Sequence, residues 1–228
     1  MNILAIDAAT EACSAALLRD DGLIFHEFEI APRRHTRLLP EMMDRVMAAS
    51  NLEKSMLSHC AFSNGPGAFT GIRIAAAQAQ GIALALNIPL VPVSTLAVLA
   101  QVCLDRTDYD RTLVALDARM QELYWAVYHR GGDDCAELVE KERLSGLSEV
   151  AIDATIEFGG GHGWIDALRD RAEFPIDSGL LPDARSLLRL AKKAIDQDLV
   201  VDAGPVSYTH LTLPTKVLVC SSRWWPGL

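Results

Sequence analysis

The chain has 228 residues, half of them apolar and 22% charged, which is the balance of a folded globular protein and excludes a disordered one. Lys and Arg number 21 against 30 for Asp and Glu, a net charge of −9 that repels a phosphate backbone and argues against this chain holding nucleic acid by itself. No apolar run approaches the roughly 18 residues of a membrane span, and the opening NILAID reads as a strand where a signal peptide would be basic, so a cytoplasmic protein with no membrane partner is expected.

Residues 2–7, 12–18 and 22–30 are short apolar or alternating runs divided by Thr10-Glu11 and Asp20-Asp21-Gly22, the punctuation of three antiparallel strands. From Thr36, read as an N-cap, the period changes. Leu38, Leu39, Met42, Met43, Val46 and Met47 recur at helical spacing with Glu41, Asp44 and Arg45 opposite, predicting a helix to about residue 49 with Pro40 in its first turn. A strand over 58–63 runs into Asn64-Gly65-Pro66-Gly67-Ala68-Phe69-Thr70-Gly71, and residues 72–86 form an Ala-rich helix that is apolar almost all round. Ile74, Ala77, Gly81 and Ala85 lie along one side of it, three or four residues apart. A strand over 88–93 and a helix capped by Ser94 and running to about 104 complete one α/β unit.

After the polar stretch 105–110 the order repeats, with strands over 111–117 and 122–129, a polar edge over 135–143 and a strand over 155–158. The glycine run 159–163 and helices over 164–171 and 183–198 follow. Two successive blocks of this kind suggest a duplicated α/β protein divided at 104/105, with the second unit ending near 205. Residues 206–228 show neither period, and we expect them to be a non-native tail.

Several places invite chemistry. Asp7-Ala8-Ala9-Thr10 follows the first strand, where Asp7 could position a metal or a water, or equally cap the turn. Gly65 and Gly67 lead through Thr70 into a helix N-terminus that could meet an anion, but no Lys follows as in a Walker A loop, and a tight packing turn is the favoured reading. Asp117 ends the first strand of the second unit in the equivalent place, and the glycine run after 158 reads most simply as a turn. Cys13, Cys60, Cys103, Cys135 and Cys220 are scattered without Cys-x-x-Cys spacing, and the six histidines include no His-Glu-x-x-His, so neither a metal site nor a disulfide framework is expected. There is no Gly-x-Ser-x-Gly elbow either, and a hydrolase or peptidase finds no constellation.

The segments ILAIDAATEACSAAL, PRRHTRLLPEM, SNGPGAFTGIRIAAAQAQGIALA, IPLVPVSTLAVLA and LDARMQELYWAVY together resemble the TsaB (YeaZ) family, from Met1 to about Pro205. The resemblance implies an α/β fold of the actin-like/Hsp70/sugar-kinase (ASKHA) superfamily with two related subdomains. It implies a role in making threonylcarbamoyladenosine beside the tRNA anticodon, in which a related TsaD-type subunit performs the transfer and a small TsaE-type ATPase joins the pair. The catalytic relative carries two histidines four apart where this chain has Thr95 and Leu99, and Ala9 stands where that superfamily has a phosphate-approaching glycine. The resemblance therefore implies a non-catalytic partner subunit with a vestigial nucleotide or anion site at Asp7, Thr10, Gly65, Gly67, Thr70 and Asp117. No cofactor is expected in the isolated subunit, ATP or ADP would bind only at the level of the complex, and tRNA would be met only indirectly. An ATP-binding phosphotransferase or ATPase of the same superfamily is the alternative. The expected docking surface comprises the stripe Leu38, Leu39, Met42, Met43, Val46 and Met47 together with Ile74, Ala77, Gly81 and Ala85, which would pair with the relative or, in its absence, with a second copy.

Overall fold

The computed structural model describes residues 1–203, so the expected non-native tail lies outside the described residues. Three strands, β1 (Ile3–Asp7), β2 (Ala12–Leu18) and β3 (Ile24–Ile30), form an antiparallel meander. Helix α1 (His35–Ser50) leads to β4 (His59–Ser63), and α2 (Phe69–Leu86) to β5 (Leu90–Val93). Both strands join parallel to β1, giving the order β3-β2-β1-β4-β5. Helix α3 (Thr95–Arg106) passes to the second half, comprising β6 (Arg111–Asp117), β7 (Glu122–Arg130), β8 (Ala136–Leu138), β9 (Arg143–Gly146), β10 (Phe158–Gly160), α4 (Asp166–Arg169), β11 (Ile176–Asp177) and α5 (Ala184–Asp196). Its sheet runs β8-β7-β6-β10-β11 with β9 also on β7, the same path as the first sheet. The duplication is thus one of topology. α1 has no helical counterpart beyond a 3-10 turn at Leu147–Glu149, and α2 answers to the single turn of α4.

The alternation of side chains along β1 sorts the layers. Leu4 and Ile6 face α1 and α2, whereas Ile3 and Ala5 face a core shared with α3 and α5. That shared core also takes Val114, Leu116, Ala126 and Tyr128 from the second sheet, whose other face carries Leu113, Ala115 and Trp125 toward α4. The last helix of each half packs on the sheet of the other: α3 lies on β6, β7, β8 and β10, and α5 on β1, β2, β4 and β5. Val201 then returns the chain to the first sheet, pairing with Leu90. A division at 104/105 separates the two sheets but not their cores.

The strand expected over 155–158 forms instead over Phe158–Gly160 and takes in two of the glycines read as a turn, and three further expectations need correction. Helix α1 starts at His35, not after a Thr36 cap, and Arg34 caps it without a side-chain bond. The buried His35 ring is held to the Ala12 carbonyl at 3.1 Å, which fixes the first turn and moves Pro40 into the second. The helix expected over 164–171 shrinks to Asp166–Arg169, because Trp164 is drawn into the second core. The third correction is the largest. Leu38, Leu39, Met42, Met43, Val46 and Met47 are all enclosed by this chain alone, none more than 8% exposed, packed over β2 and β3 with Leu4, Ile6, Ala15 and Leu17. They are core, and no partner can use them without unfolding α1.

Helix α2 differs. Ala75, Ala79 and Ala83 are buried against the first sheet, chiefly β4. Ala77, Gly81, Leu84 and Ala85 face outward, Ile74 is half-buried beside them, and a methyl placed on Gly81 would meet nothing within 4 Å. Its 18 residues are long and apolar enough to cross a membrane, contrary to the sequence expectation, but one face is occupied as in the core helix of a folded domain.

Candidate functional site

The carboxyl ends of β1, β4 and β5 lie side by side, the place where open α/β sheets commonly bind ligands. Asp7 closes β1, Ser63 closes β4, and Thr95 opens α3 just beyond β5. All three are buried, and Asp7 Oδ2, Ser63 Oγ and Thr95 Oγ1 complete no hydrogen bond of good geometry among the described residues, although the Ser63 hydroxyl lies near enough to Asp7 to favour its carboxylate. The Ala9 amide donates to Asp7 Oδ1 at 3.3 Å. Burial pushes the Asp7 carboxyl up to about 6, the nearby Ser63 hydroxyl and the Ala9 amide offset this only in part, and the charge of Asp183 adds to it.

That cost gives a prediction. A carboxyl whose folded pKa is raised contributes most to stability below its unfolded value of 3.8, and the contribution is lost as pH rises through about 6. The full rise is worth roughly 3 kcal/mol. Asp7→Asn should therefore be more stable than the parent by about 1–3 kcal/mol at neutral pH, with the gap closing between about pH 6 and pH 4. Urea midpoints of the two proteins across that range check it, and a gap independent of pH would contradict it.

Around Asp7 the loops are pressed together. Thr10 is buried with its Oγ1 accepting from the Ala12 amide at 3.3 Å, so it closes its own turn. The Gly65 carbonyl accepts from the Thr95 amide at 2.8 Å, and the Ala9 carbonyl accepts from the Ala68 amide at 2.7 Å. A Cβ on Gly67 would fall 2.3 Å from the Ala9 oxygen, and one on Gly71 1.9 Å from the Ala8 oxygen. These glycines let the β4–α2 loop touch the β1–β2 turn, and the gap where free amides could cradle a phosphate is filled by backbone.

Asp7, Thr10, Gly65 and Gly67 therefore form one cluster. Thr70 is exposed in the first turn of α2, near Phe69, whose ring carries the Arg73 guanidinium 3.1 Å from its centroid. Asp117 is exposed on the second half's hairpin, accepting from the Arg119 amide at 2.8 Å while its own amide donates to His162 Nδ1 at 3.2 Å. The glycine run also serves packing. Cβ atoms on Gly159, Gly160 and Gly163 would strike Trp164, Cys103 and the Ala115 backbone. Among the described residues no group of three or more His, Cys, Asp or Glu could hold a metal. Cys60 and Cys103 are buried and pushed up to about 12, so they remain thiols.

Sequence reasoning missed one connection. Ser94, besides capping α3 through the Leu96 and Ala97 amides, bonds the Glu142 carboxylate, which also accepts from the buried Tyr128 hydroxyl at 2.7 Å. This ties the start of α3 to the second sheet. Its partners are 14 and 48 residues from Glu142, so no local pattern announces it.

Comparison with known proteins places this geometry. Residues 28–153 match the family model described as TsaD: tRNA N6-adenosine threonylcarbamoyltransferase. The tRNA threonylcarbamoyladenosine biosynthesis protein TsaB of Escherichia coli is 45% identical over 130 residues, which is 57% of this chain and 56% of that protein. The chain spans about half the length of this relative and of the TsaB of Haemophilus influenzae, 53% of which is matched at 40% identity. The TsaB of Buchnera aphidicola subsp. Schizaphis graminum is matched over 82% of this chain and 90% of its own length at 30% identity. Two solved structures from Pseudomonas aeruginosa superpose. One, an uncharacterized protein with similarity to peptidase YEAZ, has a TM-score of 0.85 and 36% identity over 92% of this chain and 99% of its own. The other, YeaZ, has a TM-score of 0.82 and 37% identity over 89% and 97%. The fold is accordingly the ASKHA type. With near full-length agreement in both sequence and structure, the chain belongs to the TsaB (YeaZ) family.

Proposed function

We propose that this chain acts in the cytoplasm as a non-catalytic subunit in tRNA threonylcarbamoyladenosine biosynthesis, docking a TsaD-type threonylcarbamoyltransferase through the outward face of α2. The observation that carries the reading is the uncovered row Ala77, Gly81 and Ala85, with Leu84 and Ile74 beside it, on a helix whose opposite side is already buried. Small side chains let a second helix backbone come close, and the apolar flanks supply the area to bury. The same face can pair with a second copy when the relative is absent. A TsaE-type ATPase joins the assembled pair, and tRNA is met through the partner, as the net charge of −9 favours. The test is co-purification of the chain with a TsaD-type relative. A stoichiometric complex is expected, and two proteins that elute apart would sink the reading.

An ATP-binding phosphotransferase or ATPase remains the second reading, favoured only by the unpartnered Asp7 oxygen. Against it stand the backbone contacts filling the loop at Ala8 and Ala9. Calorimetry of the isolated chain with ATP and magnesium should give no saturable heat below about 1 mM, a standard binding energy of roughly 4 kcal/mol. Micromolar binding would favour the enzyme instead.

A further inference from the structure

Where the two halves meet, a groove of about 940 Å³ opens between α5, the end of α3 with the loop after it, and the β2–β3 hairpin. Ala184, Leu187, Leu188 and Ala191 of α5 are buried against the first sheet, which leaves Arg185, Arg189 and Lys192, spaced four and three residues apart, exposed along one stripe. The stripe runs about 10 Å along the helix with no acidic residue inside it. Arg106, the last residue of α3, lines the same groove. Five basic side chains and four carboxylates line it in all, so it is net positive in a chain of net charge −9.

The carboxylates beside α5 are already engaged. Asp105 accepts from Gln101 at 2.9 Å, Ser186 at 2.8 Å and Arg189 at 2.7 Å, and Asp183 is held by His26 at 2.6 Å and by the Arg185 amide at 2.8 Å. Arg130 is tied to the carbonyls of Leu104, Thr107 and Tyr109 and to Asp110. By contrast, the Arg106 and Arg185 side chains make no ion pair or hydrogen bond among the described residues. Lys192 reaches only Asp196, a pair in which both side chains are more than half exposed and which contributes little.

We propose that this groove docks an acidic segment of a partner protein, its carboxylates meeting Arg106, Arg185, Arg189 and Lys192 and its apolar side chains resting on Leu18 and Ile24 of the hairpin. The arrangement of the charges decides the occupant. A site for a small anion gathers its cations round one point, whereas these are strung along a helix. A nucleic-acid strand would bring an unbroken run of phosphates past Asp108 and Asp134, exposed carboxylates of the same groove, and would leave Ile24, 44% exposed, without an apolar partner. In an extended peptide every second side chain shares a face, about 6–7 Å apart, close to the rise of about 6 Å between Arg185 and Arg189. Carboxylates can then follow the stripe, where arginine forks bind them in pairs of hydrogen bonds, while the alternate residues cover the hairpin. The groove and the outward face of α2 lie on opposite sides of the first sheet, so this docking is independent of the α2 reading.

The test is fluorescence anisotropy of the full chain with a short labelled peptide that carries Glu at every second position and Ile or Ser between. Saturable binding at roughly 10–100 µM is expected in low salt, weakening as salt rises through about 0.15 M, where the Debye length is about 8 Å. Arg106→Ala combined with Arg185→Ala should weaken it roughly 10-fold or more with the melting temperature unchanged, because neither side chain is bonded to the rest of the fold. Lys192→Glu makes the same point if that double variant folds poorly. The same peptide with Gln for Glu should not bind. No saturable binding of the acidic peptide, a Gln peptide that binds as well, affinity indifferent to both variants, or tighter binding of a single-stranded RNA of equal charge would each overturn the proposal.

Discussion

Gly81→Glu should leave the chain folded and slightly more stable, yet abolish its hold on a TsaD-type relative. The position faces open space on α2, so the new side chain strikes nothing. Glycine inside a helix costs about 1 kcal/mol relative to good helix formers, and replacing it should raise the unfolding free energy by roughly 0.5–1 kcal/mol. Docking should respond in the opposite direction. A carboxylate pressed into an apolar helix contact has no partner, and an unpaired buried charge costs several kcal/mol. Affinity should fall roughly 100-fold or more, about 3 kcal/mol. Gly81→Ala is the milder companion, with the same gain in stability and a smaller loss from one methyl at a close approach. Thermal melts and calorimetric titration of the relative read the two effects separately. Equal affinity for parent and Gly81→Glu would remove α2 from the interface.

Gly71→Ala, in the first turn of the same helix, should be the most damaging single methyl in the chain. Its Cβ would lie 1.9 Å from the Ala8 carbonyl oxygen, and a backbone atom cannot swing aside as a side chain can. Either α2 moves off β4, or the β1–β2 turn opens and exposes the buried Asp7. Overpacking of this kind costs about 3 kcal/mol or more, a large share of a typical 5–15 kcal/mol stability. The urea midpoint, or the yield of folded protein if the loss is too great, measures it. Two glycine-to-alanine changes in one helix should thus have opposite signs, and a mild effect at Gly71 would mean the loop contact is looser than the backbone distances state.

Most strands were legible because their periods are clean, but β10 was not, since two of its three residues are glycines that read as a turn. The run over 111–117 became β6 residue for residue, and Ser94 caps α3 as its place before a helical period implied. The destination of each helix was not legible. Periodicity says that a face of α1 must be covered but not by what, and the methionines at 42, 43 and 47 looked adaptable enough for a partner when β2 and β3 had already taken them. The crossing of α3 and α5 onto each other's sheets has the same origin, since an amphipathic pattern carries no address. The turn at Arg119, Met120 and Gln121 could not be foreseen either. All three residues take positive φ, 69°, 54° and 62°, with no glycine or asparagine to announce it.

At the candidate site, the sequence could offer only what is local. Asp7 stood out because Asp7-Ala8-Ala9-Thr10 follows the first strand, where the superfamily it resembles holds phosphates, but Ser63 and Thr95, buried beside it, come from a strand and a helix that only the fold brings together. The glycines at 67 and 71 were visible as a loop signal. What they approach, the Ala8 and Ala9 carbonyls, required coordinates.

Hydroxyl-radical footprinting of the chain, free and with a TsaD-type relative, tests the α2 docking surface most directly. Phe69, Ile74 and Leu84 border the uncovered row, with Phe69 61% and Leu84 57% exposed, and their oxidation should drop sharply in the complex. Met56, 55% exposed on a 3-10 turn outside α2, should label equally in both, and Met42 should stay protected throughout. A complex that forms while Phe69 and Leu84 remain as reactive as in the free chain would contradict it.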